Sequence, residues 1–153
     1  MTKYTKKNYT LSAEIASVGT KVYNHLEDSH YVTSEKKPVI LTGTRGEKWT
    51  ISTEQLLDKY LPVDGSYPSL EVGQSFLITP VLGEVNDIFA VPTNGERVTV
   101  ETSWGEVLKA NRPGIEHGDG DYIAYSVSPN GEPNENDRWI INGAVFVDTY
   151  REC

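Results

Sequence analysis

Val39-Ile40-Leu41-Thr42-Gly43-Thr44-Arg45-Gly46-Glu47-Lys48-Trp49-Thr50-Ile51 is the stretch on which the fold reading turns. An apolar, β-branched run meets a turn carrying two glycines and resumes at a tryptophan, the pattern of two antiparallel strands joined by a short loop. A short apolar segment then leads to Tyr60. The same order recurs from 122 to 150: Tyr122-Ile123-Ala124, a turn rich in Pro, Asn and Gly, Trp139-Ile140-Ile141, and then Ala144 to Tyr150. Two copies of this order predict a mainly β chain of two related halves. Each half is expected to be a set of short antiparallel strands, forming a small barrel or a strongly bent sheet, with one or two short helices in all. A single merged sheet is the alternative. The halves fall at residues 1–62 and 86–153. Between them, 63–85 reads as a connection and an extra strand, because Pro, Gly, Ser and Asp crowd Val63 to Gly73 before Gln74 to Leu82 turns apolar again.

Outward from these hairpins the signals thin. Lys3, Lys6 and Lys7 make the first ten residues read as a frayed arm or a late-docking strand. Ser12, followed by Ala13, Glu14 and Ile15 and closed by Gly19, predicts a short helix over 11–18. Short strands are expected at Lys21 to His25 and Tyr31 to Ser34. Thr53 is the expected N-cap of a helix with Leu56, Leu57, Tyr60 and Leu61 on one face, stopped by Pro62. Asn94-Gly95 is the strongest two-residue turn signal, and predicts that the strand Ile88 to Val91 folds back onto Arg97 to Thr102. Trp104-Gly105 marks a second turn, Pro113 to Gly120 a loop, and Ser128 to Asp137 a long polar insertion. Ala144 to Tyr150 reads as a short helix or strand.

The chain has 153 residues, the size of one domain or of two small halves sharing a core. Its 37% apolar and 24% charged residues are those of a protein able to bury a core. No apolar run approaches the ~20 residues of a membrane helix, and the opening residues lack a secretion signal, so a cytoplasmic location away from membranes is expected. Cys153 is the single cysteine, which leaves no internal disulfide and no thiolate metal cluster. The net charge of −8 argues against nucleic acid and fits a solvated surface or a basic protein partner.

Chemistry-bearing residues gather in one place. Glu116, His117, Asp119 and Asp121 sit among glycines, where alternating carboxylates suit a hard cation and a His beside Asp suits a general base. The spacing lacks a full calcium loop, and Asp and Gly also occupy turns for backbone reasons alone. His25 and His30 are five apart, a spacing that fits metal ligation on neither helix nor strand. No metal and no cofactor is therefore expected. Trp49 and Trp139, at matching positions, read as core anchors. Trp104 has no match; with Arg112 and His117 it could line a pocket where an indole stacks on a planar group and Arg pairs with an anion. Thr42, Thr44 and Arg45 form a weaker set that could nest a phosphate. No nucleophile signature is present.

Pro113-Gly114, then Gly120-Asp121-Tyr122-Ile123, a Gly-bearing turn, Trp139-Ile140-Ile141, and Phe146 followed by Thr149-Tyr150 together resemble the small PGDYG family of bacteria and phages. That family is named for a Pro-Gly-Asp-Tyr-Gly element before a hairpin, with an aromatic-Tyr motif after it. The resemblance spans about residues 86 to 151 and, more faintly, 20 to 60. The chain departs from it in two places: His117-Gly118-Asp119 precedes the Gly-Asp-Tyr, and Ile123 stands where the family has Gly. The family has no settled activity, so the resemblance implies architecture and an accessory role in a phage or bacterium.

These observations favour a non-enzymatic binding protein whose later loops, carrying Trp104, Arg112, His117, Asp119, Asp121 and Arg138, meet a small polar or nucleotide-like ligand or a protein partner. The alternatives are a hydrolase that cleaves a phosphate or glycosidic bond with His117 and its neighbouring carboxylates, and a structural module of a larger assembly. Oligomeric state is not legible.

Overall fold

The computed structural model describes all residues 1–153. In chain order the elements are β1 (Thr2–Lys6), β2 (Leu11–Ile15), β3 (Lys21–Asn24), β4 (Ser29–Val32), β5 (Val39–Thr42), β6 (Lys48–Ile51), α1 (Thr53–Lys59), β7 (Tyr60–Pro62), β8 (Ser75–Pro80), a 3-10 turn (Glu84–Asn86), β9 (Ile88–Pro92), β10 (Thr99–Glu101), β11 (Val107–Lys109), β12 (Tyr122–Val127), β13 (Pro133–Ile141), α2 (Gly143–Thr149) and β14 (Tyr150–Glu152). Strands hold 42% of the chain and helices 11%, so the protein is mainly β. The antiparallel sheets stay open: none closes into a barrel, and of the two expected forms only the open sheet is present.

Two compact units are formed. One comprises Asn8–Val85; the other comprises Met1–Lys7 together with Asn86–Cys153. Relative to the sequence partition, residues 63–85 group with 8–62, and residues 1–7 group with 86–153. Hydrogen bonding accounts for both. β8 lies between β2 and β7, and β1 lies between β9 and β14.

The 8–85 unit is a five-stranded sheet in the order β6-β5-β2-β8-β7, plus the two-stranded β3-β4 hairpin. Leu11, Ala13 and Ile15 point into a core with Val39, Leu41, Ile51, Leu56 and Ile78, against which Trp49, Tyr60, Tyr67 and Phe76 pack. Here the expected helix over 11–18 is instead the strand β2. Leu11, Ala13 and Ile15 are buried and alternate with exposed Ser12 and Glu14, a period of two rather than 3.6, and β5 and β8 flank the strand on either side. The next helix starts one residue earlier than expected: Ser52, not Thr53, is the N-cap of α1, with Gln55 completing a reciprocal capping box.

The second unit is a five-stranded sheet in the order β13-β12-β9-β1-β14, plus the β10-β11 hairpin. Ile88, Ala90, Ala124, Phe146 and Tyr150 form its core, with Tyr4, Tyr122, Trp139 and Ile141 against them. Phe146 stacks on Tyr122 at 3.8 Å between ring centroids, and Tyr4 meets Phe146 edge-on at 4.8 Å. A separate cluster of Val100, Leu108, Ala110 and Ile140 seats the β10-β11 hairpin on this unit. Asn94 and Gly95 do turn the chain, with φ of 56° and 80°, but β9 does not fold back onto β10. β9 is occupied by β12 and β1, so β10 pairs with β11 around Trp104-Gly105. The expected 128–137 insertion is strand over its second half. β13 starts at Pro133, and a register shift from Asn134 to Arg138 leaves Glu135, Asn136 and Asp137 bulged out.

Candidate functional site

Asp121 organises the glycine-bearing segment that the sequence singles out. It is 3% exposed, directly before β12. Its Oδ1 accepts the backbone N–H of Gly143 at 2.9 Å and faces His117 Nδ1 at 2.6 Å. Its Oδ2 accepts the N–H of Asn111 at 2.7 Å, and its own N–H donates to Asn111 Oδ1 at 2.9 Å. Its carbonyl accepts from the Thr93 hydroxyl at 2.6 Å and the Thr93 N–H at 3.0 Å. A buried carboxylate satisfied this fully is held in place by charge-assisted bonds, and it fastens three separate stretches of chain to the start of α2.

His117 completes the knot. Its Nε2 lies 2.6 Å from the carbonyl oxygen of Arg112, while Nδ1 faces the Asp121 carboxylate. Both ring nitrogens are thus directed at groups of the chain itself, with the Asn142 side-chain amide nitrogen 3.3 Å from Nδ1 as well. Asn142, the N-cap of α2, accepts from the N–H groups of Ala144 and Val145 and donates to the carbonyl of Glu116 at 2.9 Å. Packing is equally tight. A Cβ on Gly143 would stand 1.9 Å from the His117 carbonyl oxygen and 2.2 Å from that of Gly120, and a Cβ on Gly120 would stand 2.8 Å from the backbone nitrogen of Gly95.

The six residues expected to share one site are therefore divided. Asp121 and His117 lie inside the knot, to which Arg112 brings its backbone carbonyl. Asp119 is exposed on the loop beside it. Trp104 is 44% exposed at the β10-β11 turn. Arg138 is half-buried on β13, next to the bulge. No set of three or more His, Cys, Asp or Glu side chains is gathered to hold a metal ion.

The hairpin end is itself well fixed. The Thr102 hydroxyl accepts the Glu106 N–H and donates to the Glu106 carbonyl, each at 2.9 Å, and Gly105 takes φ of 94° to close the turn. Ser103 Oγ donates to Asp137 Oδ1 at 2.8 Å, tying the hairpin end to the β13 bulge. An exposed indole thus sits on a braced turn, with Glu101 and Glu106 near it in sequence and Asp137 held to the same turn by Ser103.

Thr93, Asn111, Asn142 and Gly143 hold the knot together, and none was singled out from the sequence. Asn142 alone carried a legible signal, standing between the Trp139 strand and an apolar run as an N-cap does. In the 8–85 unit, a recess of about 530 Å³ opens beside Pro62, Tyr67, Pro68, Phe76 and Leu77, with none of the expected site residues in it. No family model, curated protein or solved structure matches the chain.

Proposed function

We propose that this chain is a non-enzymatic binding protein whose contact surface is the end of the β10-β11 hairpin and the adjoining β13 bulge. The observation that carries this reading is Trp104, a large apolar side chain 44% exposed on a turn that hydrogen bonds hold rigid. A large aromatic presented on a fixed backbone offers apolar area for contact, and such residues anchor interfaces. Glu101 and Glu106 flank this turn in sequence, Asp137 is tied to it through Ser103, and the chain has a net charge of −8, all of which favour a basic partner. An exposed indole on an acidic chain suits a guanidinium or ammonium group, which it meets through its π face.

This reading narrows the earlier expectation of a small polar ligand or a protein partner to a basic segment of a protein. It leaves the knot at Asp121 as scaffold. The matching order of elements in the two units, each with its own two-stranded hairpin, supports treating the halves as copies, with the second specialised by the exposed Trp104 at its hairpin end and by its bulge. Likeness to the PGDYG family, with its accessory role in a phage or bacterium, accords with a module that binds rather than reacts.

The test is titration with a ten-residue oligoarginine at low salt, followed by isothermal calorimetry and tryptophan emission. Binding should weaken at least tenfold in Trp104→Ala with the circular dichroism unchanged, and should fall as salt rises. Equal binding by Trp104→Ala, or none by the parent chain, overturns the proposal. Turnover of a phosphate or glycoside substrate that His117→Gln abolishes would instead favour the hydrolase.

A further inference from the structure

The fourth place in each five-stranded sheet is filled by a different route. In the 8–85 unit it is taken by β8, which follows β7 through the 63–74 loop. In the other unit it is taken by β1, which the whole of Asn8–Val85 separates from the rest of its sheet. β1 is no ornament there. It pairs with β9 through Thr2↔Ala90, Lys3↔Phe89 and Tyr4↔Ile88, and with β14 through Tyr4↔Glu152, Thr5↔Arg151 and Lys6↔Tyr150. Tyr4 packs on Phe146 and Tyr122, Lys6 Nζ lies 4.3 Å from the Tyr150 ring centroid, and Lys7 donates from its backbone to Thr149 and from Nζ to Val147. Without β1, β14 has no strand to pair with and β9 has one bare edge.

We propose that the slot between β9 and β14 also accepts the β1 strand of a second copy of this chain, so that the protein forms strand-exchanged assemblies. Every bond and ring contact just described is made equally well by a β1 from another molecule. The closed and exchanged forms therefore differ in the hinge, the three residues Asn8-Tyr9-Thr10 that follow the slot-bound Lys7 and precede β2, and in the entropy of association. A short hinge between two packed strands is the feature that makes exchange inexpensive. The identity of the donor is fixed by the slot. It wants an extended segment with an aromatic at its centre facing Phe146 and a cation over Tyr150, and Thr2-Lys3-Tyr4-Thr5-Lys6 is that segment. This inference stands apart from the Trp104 surface, since neither β1 nor the slot includes any residue of the hairpin.

The register supplies a direct test. Cys153 donates its N–H to the Lys3 carbonyl at 3.1 Å, which places residues 3 and 153 across from each other. A full-length chain carrying Lys3→Cys and Cys153→Ser is refolded with an equal amount of the unaltered chain at roughly millimolar concentration and then mildly oxidised. Each chain then holds half of the cysteine pair, so a mixed disulfide forms preferentially only where β1 of one molecule lies in the slot of another. Mixed dimer should exceed either like dimer at least fivefold. The twofold excess expected of random collision overturns the proposal. As a check independent of any variant, the unaltered chain under reducing conditions should show a dimer by light scattering after refolding at millimolar concentration but not at micromolar. Monomer alone at both concentrations also overturns it.

Discussion

The two units start their helices with different chemistry. α1 is capped from within: the Ser52 hydroxyl accepts the Gln55 N–H at 3.0 Å, and the Gln55 side chain accepts the Ser52 N–H at 2.9 Å. α2 is capped partly from outside, because the Gly143 N–H goes to the Asp121 carboxylate, 22 residues earlier in the chain. The neighbouring loops account for the difference. Between β4 and β5 the chain runs only from Thr33 to Pro38, whereas between β11 and β12 it runs from Ala110 to Asp121. A long loop has to be fastened at a cost in entropy, and the second unit does so by using the free N–H groups of the helix start as the anchorage. A local cap stabilises one helix; a distant one holds the helix, the loop and the Asn94-Gly95 turn together.

The sharpest way to break this comparison is at the residue following each cap. Thr53 follows Ser52 and carries a side chain without difficulty, whereas a Cβ at Gly143 would collide with two backbone carbonyls that have no rotamer to move to. Gly143→Ala should cost on the order of 5 kcal/mol, comparable to the whole stability of a small domain. Thr53→Ala should stay within about 0.5 kcal/mol. Urea unfolding followed by near-ultraviolet circular dichroism would measure both. Equal effects at the two positions would mean that the knot is loose in solution.

Much of this architecture was legible and part was not, for physical reasons. The 39–51 hairpin and the existence of α1 could be read because their signals are local: β-branched runs, turn glycines and helical spacing. The expected apolar face of α1 is reduced to Leu56, since Leu57 and Leu61 are exposed and Tyr60 and Leu61 belong to β7. The β2 strand was misread as a helix because Ser12 and Gly19 offer cap residues at helical distance, and only the pairing with β5 and β8 decides against them. Trp104 stood out in the sequence because it lacks a counterpart in the other half, but its place on an exposed hairpin end, apart from Arg112 and His117, comes from tertiary structure. The knot was not legible, because an Asp that bonds to residues 111, 117 and 143 has the same local sequence as an Asp in an open turn. Its burial comes entirely from tertiary structure.

Next in size is the carboxylate itself. Asp121→Ala removes the acceptor for the Gly143 and Asn111 N–H groups and the partner of His117, leaving buried donors unsatisfied. It should destabilise by about 3 kcal/mol. Ser52→Ala removes one local bond and should cost about 1 kcal/mol. Amide hydrogen exchange separates the two beyond their size. Asp121→Ala should speed exchange across 93–96, 111–121 and the start of α2 together, whereas Ser52→Ala should affect only the first turn of α1. Exchange confined to the α2 start in Asp121→Ala would show that the distant cap does no more than the local one.

The smallest effect lies at the other end of the helices, where both units again use one residue type in two ways. Tyr60 and Tyr150 each close their helix by donating the backbone N–H to the carbonyl four residues earlier. Tyr150 lies stacked against Phe146 with the Lys6 ammonium over its ring. Tyr60 packs on the apolar core of the 8–85 unit, and loss of solvation pushes its phenol up to about 12 from 10.0. A phenol harder to ionise when folded stabilises nothing below pH 10, where both states keep the proton. Above it the unfolded chain ionises first, so stability falls as pH rises from about 10 to about 12. Tyr60→Phe should leave stability at pH 7 nearly unchanged and move the alkaline unfolding midpoint of the 8–85 unit upward by a few tenths of a pH unit. Tyrosinate absorbance at 295 nm, followed through the same titration, should lose one late-ionising group. A variant whose alkaline limb overlays that of the parent would show that Tyr60 is hydrated, and that the two helix ends differ only in packing.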